Sequence, residues 1–415
     1  MSTKRQLLPY AIVVLLGYIG FALPLPILPE MFLDPERSIL PLSFSMETKT
    51  FLLGLMMASY PLGQLVGAPL LGQLSDRYGR KKIILISLSG TTMGYLLTAL
   101  ATSMHQIVGI FFGLLICGFF EGNVAIAQSV IADLTHKQER AHKAVHFGWI
   151  NLFVTFGFII GPLIGGQLAD TSLVPWFTFA TPFWIAAFMT LAGIIIIALG
   201  SKETRSFSNQ ARLGFFRSIT NVFKVPGLKR LYAANFFLAL GFFSFFRFFP
   251  VFLERTFDFS SSMLAYVIAY DSIFFGIALL LLIKPIAKKL PSRLATAIFS
   301  VLLALMFIVT VLPRSPYWLF LTVAIIGICL AVSMTNASVM VSNVVDGEFQ
   351  GQAMGSLQSV QVLAEVLTGI LGGLIAANVP ALPMFIGASM AVICSLILFV
   401  SRQYSVYSVD ETKEV

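Results

Sequence analysis

Apolar residues in this chain come in long blocks, and polar residues are confined to the joints between them. Twelve blocks can be counted, over roughly 8–32, 50–72, 83–103, 106–131, 145–169, 176–199, 226–252, 262–286, 293–312, 316–341, 354–378 and 381–401. About 20 apolar residues in a helix cross the hydrocarbon core of a bilayer, and a helix satisfies its own backbone hydrogen bonds there. The pattern therefore predicts an all-α membrane protein with twelve transmembrane helices. Composition agrees. Of 415 residues, 57% are hydrophobic and only 11% are charged, which excludes an ordinary soluble domain. The first block follows Lys4 and Arg5 and runs for about 25 residues, too long for the apolar stretch of a cleavable signal peptide.

Charge sets the expected orientation. With the N-terminus in the cytoplasm, 22 of the 27 Lys and Arg residues fall on cytoplasmic joints and ends. Four (Arg37, Lys49, Arg255 and Arg314) fall outside, and Arg247 lies within the seventh block. The positive-inside rule requires this asymmetry. It places both termini in the cytoplasm and accounts for the net charge of +8. A nucleic-acid partner is not expected, because no basic domain with interleaved aromatic residues is present. Cys117, Cys329 and Cys394 lie singly inside apolar blocks and read as packing residues. His105, His136, His142 and His146 lie at helix ends or in one joint and read as interfacial. Neither a metal nor a cofactor is expected.

The halves repeat weakly. Gly148 and the segment 161–166 align, at a shift of 207, with Gly355 and 368–373; Gly20 and Pro29 match Gly241 and Pro250. Repeats of this kind underlie transporter folds whose substrate site lies near the midplane between the halves. The expected organisation is a six-helix bundle over 1–200, a cytoplasmic linker over 201–225, a second six-helix bundle over 226–401 and a short polar tail over 402–415.

Two segments carry specific patterns. Residues 72–82 read Gly-Gln-Leu-Ser-Asp-Arg-Tyr-Gly-Arg-Lys-Lys, one acid, four bases and two glycines between two apolar blocks. Charges there must sit in water or in pairs, and glycine permits a short chain reversal. In the fifth block, Gly148, Gly157, Gly161, Pro162, Gly165 and Gly166 make a smooth face for close helix approach, with a proline that allows a bend.

The 72–82 segment resembles the signature loop of the major facilitator superfamily, and the fifth-block spacing resembles the motif of its proton-coupled antiporters. The chain is most similar to the twelve-helix drug–proton antiporters, including tetracycline efflux proteins. Ile131-Ala132-Asp133-Leu134-Thr135, Glu139-Arg140-Ala141 and Phe147-Gly148 carry that likeness. A second likeness, to intraphagosomal amino-acid and nucleoside transporters, lies in 60–64 and 121–129. The resemblance implies the major facilitator fold, two pseudo-symmetric six-helix bundles, in a bacterial-type inner membrane and as a monomer. It also implies a cytoplasmic gate of Gly72, Asp76, Arg77, Gly79, Arg80 and Asp133. In that gate Asp76 meets the positive N-terminus of the eleventh helix, near Gln352. Two departures stand out: Gly17 and Leu114 occupy positions where the drug antiporters commonly carry an acid and an arginine.

A proton carrier must then come from elsewhere, and Glu121, Asp271 and Glu365 all fall within apolar blocks. Charges at such depth mark pathways or are satisfied structurally by a neighbouring helix. Glu121 is favoured as the carrier, on a small-residue stripe with Gly118, Gly122 and Ala125. In the eleventh block Gln358, Gln361, Glu365, Thr368 and Gly372 share one helical face. A polar stripe must face protein or a water-filled cavity. Gln358, Gln361 and Glu365, with Asn123 and Asn151, are therefore expected to bind substrate or to hydrogen-bond between helices. Arg247 either snorkels to the outer interface or binds a substrate carboxylate or neutralises Glu365 or Asp271.

The expected function is proton-coupled secondary transport of a small organic molecule by alternating access, with the proton gradient as energy source. Efflux by antiport follows from the fifth block and uptake by symport from the fourth. No phosphate-binding G-x-x-x-x-G-K-(S/T) loop exists. No nucleophile–base pair suggests an enzyme.

Overall fold

The computed structural model describes residues 3–122, 126–127, 130, 140–201, 203, 228–312, 317–344 and 350–400; for 3–7, 140–151 and 350–352 it describes the backbone alone. The described residues form helices α1 (Thr3–Ala22), α2 (Ile27–Leu33), α3 (Met46–Tyr78), α4 (Arg80–Ser103), α5 (Ile107–Phe120), α6 (Arg140–Ala169) and α7 (Thr181–Gly200). After the central linker come α8 (Leu228–Phe257), α9 (Ser261–Ile277), a π-helical turn (Ala278–Leu282), α10 (Ile283–Lys289), α11 (Ser292–Val311), α12 (Tyr317–Asn343), α13 (Gln350–Asn378) and α14 (Leu382–Val400). Eleven spans are long and apolar enough to cross a membrane, α1 and α2 counting as one and α9 to α10 as another. The shorter α5 begins the twelfth.

Three departures from the expected runs have local causes. The first run breaks over residues 23–26, where Pro24 and Pro26 remove backbone donors and disfavour helix in the preceding residue. The second run is longer than its apolar core. The Ser45 side chain caps the α3 N-terminus by accepting from the Thr48 N–H at 3.2 Å, and Gly79 ends the helix at φ +101°. The fourth run is interrupted as an α-helix at Glu121, whose N–H donates to the Gly118 carbonyl three residues back at 3.1 Å.

The helices pack as two bundles, α1–α7 and α8–α14. In the first, α3 packs on α5, α4 on α5 and α7, and α1 on α6 and α7. In the second, α8 packs on α13 and α14, α11 on α12 and α14, and α9 on α12. Two large seams join them: α3 with α13, and α6 with α9. Each seam pairs the second helix of one bundle with the fifth of the other, so a pseudo-twofold axis relates them.

Both seams depend on residues without bulk. In α3–α13, Gly54 lies against the backbone of Gly369 and Gly373, and Gly369 against Ala58. In α6–α9, Gly166 lies against the Ser261 carbonyl and the Ala265 side chain. Such backbone approach is how helices associate without a hydrophobic driving force. Both contacts lie at the end of the molecule away from the 72–82 loop. At the loop end, a side chain placed at Gly72 in α3 or Gly355 in α13 would meet nothing within 4 Å. Among the described residues the bundles meet closely at the far end, and these two loop-end glycines face open space.

Candidate functional site

Between the bundles lies a cavity of about 830 Å³ of empty space, its open mouth included. Aromatic rings make nearly half of its lining: Tyr18 and Phe21 from α1, Phe158 from α6, and Phe242, Phe243 and Phe246 from α8. They interlock across the bundles, with Phe158 and Phe246 centroids 6.0 Å apart and Tyr18 and Phe158 5.3 Å apart. Polar groups converge from three further elements: Gln64 of α3, Glu121 beyond α5, and Gln358, Gln361 and Glu365 of α13.

The expected five-residue stripe on α13 splits. Gln358, Gln361 and Glu365 reach the cavity. Thr368 returns its hydroxyl to the Ala364 carbonyl at 2.8 Å, and Gly372 packs on Phe248. The stripe leaves the cavity where the far-end seam begins, so its last two positions serve packing.

Glu121 stands where α5 ends, and it is 6% exposed. Its Oε2 is buried without a hydrogen-bond partner among the described residues. Tyr60 faces it from α3, although the Tyr60 hydroxyl also lacks a hydrogen bond of good geometry. The two meet because Gly63 and Gly67 of α3 lie on the backbone of Leu115 and Phe119, and Gly118 lies on the Tyr60 carbonyl. Helices so close bring a phenol and a carboxyl together without long side chains.

Arg247 does not snorkel. It is 4% exposed, and its guanidinium is consumed inside the protein. Nη2 pairs with Glu365, and Nη1 donates to the Met57 carbonyl of α3 in the opposite bundle at 2.6 Å. Phe21 lies 6.0 Å from its Cζ. The pairing with Glu365 realises one of the sequence alternatives and places the base behind the cavity wall. Neutralisation of Asp271 does not occur. Asp271 is 8% exposed and lies off the cavity, against Gly327 of α12, with Oδ1 unpartnered among the described residues. Of the three expected acids, two therefore line the cavity, and of these Glu121 has no basic partner among the described residues.

The far-end closure includes an acid that the sequence reading passed over. Glu30 of α2 pairs with Arg37 and accepts hydrogen bonds from the N–H and hydroxyl of Ser261, the first residue of α9. A carboxylate of one bundle thus caps the N-terminus of a helix in the other, where the peptide dipoles favour negative charge. Arg37 also donates to the Ala169 carbonyl at 2.7 Å and lies over the Phe179 ring at 4.5 Å.

At the opposite end, Gly79 reverses the chain and Asp76 pairs with Arg80 at 3.1 Å. Arg77 lies over Tyr78, its Cζ 5.2 Å from the ring centroid. The α4 N-terminus has its own cap. Glu203, just after α7, accepts from the Arg80 and Lys81 N–H groups at 2.8 and 3.1 Å. That acid also escaped the sequence reading, since nothing along the chain links 203 with 80. Asp133 and Asn123 lie outside the described residues. Gly148 and Asn151 fall within α6, but their surroundings are not described. Gly157 and Gly161 lie on Tyr18 and Ile19 of α1, and Gly165 on Leu23 just after it, so most of the described part of the fifth-run motif packs its own bundle around Pro162. Among the described motif residues, Gly166 reaches across.

Comparison with known proteins matches this architecture. The profile of the Major Facilitator Superfamily matches residues 10–314 and 231–414. The tetracycline resistance protein, class B, of Escherichia coli is 32% identical over 205 residues, 49% of this chain and 45% of that protein. The chain thus spans less than half the length of that relative. The class C protein of Escherichia coli is 26% identical over 418 residues, 95% of this chain and 96% of that protein. Among solved structures, a D-xylose–proton symporter superposes with a TM-score of 0.79 at 15% identity, over 96% of this chain and 98% of that one. With two six-helix bundles around a central cavity and a family profile over most of its length, the chain belongs to the Major Facilitator Superfamily of membrane transporters.

Proposed function

We propose that the protein exports small lipophilic cations, drugs or metabolites, in exchange for protons. The observation that carries this reading is Glu121, a buried carboxyl without a basic partner among the described residues, in a cavity lined by aromatic rings. Rings attract organic cations through their π faces. That carboxyl supplies the counter-charge. Glu121 cannot hold a proton and a cation together, so each displaces the other, and displacement is exchange. Glu365 is already neutralised by Arg247 and serves as a fixed part of the wall. Gln358 and Gln361 orient the substrate. The similarity to tetracycline resistance proteins supports export.

In the same reading the basic ends face the cytoplasm of a bacterial-type inner membrane, and the protein works as a monomer. Residues 1–200 and 226–401 are the moving bodies, with 201–225 the linker. The loop end is then cytoplasmic and the far end external. Asp76, Arg77, Arg80 and Asp133 form the cytoplasmic gate in the opposite state.

Uptake by symport is the second reading. The absence of an acid at Gly17 and the 121–129 segment favour it. Liposomes loaded with a pH dye separate the two. Under a preset proton gradient, antiport of a cationic drug moves protons opposite to it, and Glu121→Gln abolishes that coupling. Protons that travel with an amino acid or nucleoside make this an importer.

A further inference from the structure

The far-end closure brings together charges that ought to repel. Glu254, near the end of α8, is 8% exposed, and its Oε2 is buried with no hydrogen-bond partner among the described residues. The charged groups within electrostatic reach are Asp34 and Glu30 from the first bundle, and Asp258 and Arg255 from its own. Arg255 spends a guanidinium nitrogen on the Ala376 and Ala377 carbonyls. Glu30 is matched by Arg37. Asp34 has no such match among the described residues: its Oδ1 accepts from the Glu36 and Arg37 N–H groups, each at 2.7 Å. Closing the far end therefore buries the Glu254 carboxyl beside an acidic side chain of the other bundle. A buried carboxylate without a partner is costly, and the proton removes that cost. No three acidic, His or Cys side chains among the described residues converge as a metal ion requires.

We propose that Glu254 is a proton-binding residue of the far-end gate, so that this end closes only once a proton has neutralised it. The closed state here is then the protonated one. Raising the pH on the far side strips the proton, restores repulsion from Asp34 and opens that end. An exporter needs this order, because external protons must be captured before the molecule turns inward again.

The test uses spin labels at Leu173→Cys, after α6, and Leu312→Cys, after α11. Both residues are exposed at the far end, and the three native cysteines are buried. In lipid nanodiscs without substrate, the wild-type distance distribution shifts from short to long between about pH 6 and pH 8. Glu254→Gln loses that shift and stays short. Asp34→Asn keeps the Oδ1 acceptor and moves the wild-type midpoint to higher pH. The proposal is overturned if Glu254→Gln retains the wild-type shift, if the wild type shows none, or if Asp34→Asn leaves the midpoint in place. A shift driven by sodium in place of choline at constant pH also overturns it. The inference rests on proton coupling but not on transport direction. Symport with a Glu254-dependent shift leaves it standing, and antiport without one removes it.

Discussion

Glu365→Ala would leave the Arg247 guanidinium buried between the bundles with only the Met57 carbonyl to hold it. Removing one partner of a buried ion pair costs about 3–5 kcal/mol, because the other charge stays uncompensated. Glu121→Ala removes a carboxyl that no base among the described residues neutralises and should leave stability nearly unchanged. Thermal unfolding in detergent should therefore show a large loss for Glu365→Ala and little for Glu121→Ala, while transport fails in both. Equal losses would contradict the assignment of one acid to structure and the other to coupling. At this scale the sequence was informative where a polar residue interrupts an apolar block: Glu121, Gln358, Gln361 and Glu365 were all legible. Depth along a helix does not give direction around it, so Asp271 looked equivalent to Glu365 and faces elsewhere. Glu30, Glu203 and Glu254 lie at block edges, where acids are ordinary. Their partners are distant in the chain, so no local pattern marks them.

Elements differ in what their glycines are for, and α6 shows it within two residues. Gly165 lies on the Leu23 carbonyl of its own bundle, and Gly166 lies on the Ser261 carbonyl and Ala265 of the other. A side chain at either position overlaps backbone, which cannot move aside as a flexible side chain can. Gly165→Leu should prevent the first bundle from assembling, seen as loss of protein from the membrane fraction. Gly166→Leu should insert normally and hold the far end apart, seen as a monodisperse protein that binds substrate but does not complete transport. If both variants reach the membrane equally and transport equally, the division of the motif is wrong. Spacing in the sequence identified the stripe, since helical periodicity is read directly from a run. It could not divide the stripe between partners, because that depends on how each bundle rolls against the other. The run boundaries shifted for a related reason. Helix ends are set by caps such as Ser45 and by glycine at Gly79, and these are polar or flexible residues that a count of apolar positions leaves out.

Over the whole molecule, the two ends use one physical device. At the far end Glu30 of the first bundle caps α9 of the second, and the bundles touch. At the loop end Asp76 pairs with Arg80 of its own bundle, and Gly72 and Gly355 face open space. The resemblance places Asp76 on the N-terminus of α13 when that end closes. The two carboxylates then stabilise opposite states, and their removal should bias the equilibrium in opposite directions. Asp76→Asn should populate the loop-open state further, with transport lost and membrane insertion intact. Glu30→Ala should populate the far-open state, because Arg37 already neutralises the charge it removes and the lost Ser261 bonds dominate. The sites lie at opposite ends and share no partner, so their effects should add. The double variant should return the distribution toward that of the wild type, read as label distances at both ends. It should also recover part of the transport that each single variant loses. A double variant more impaired than either single one would mean that the two acids support the fold and do not oppose each other across the transport cycle.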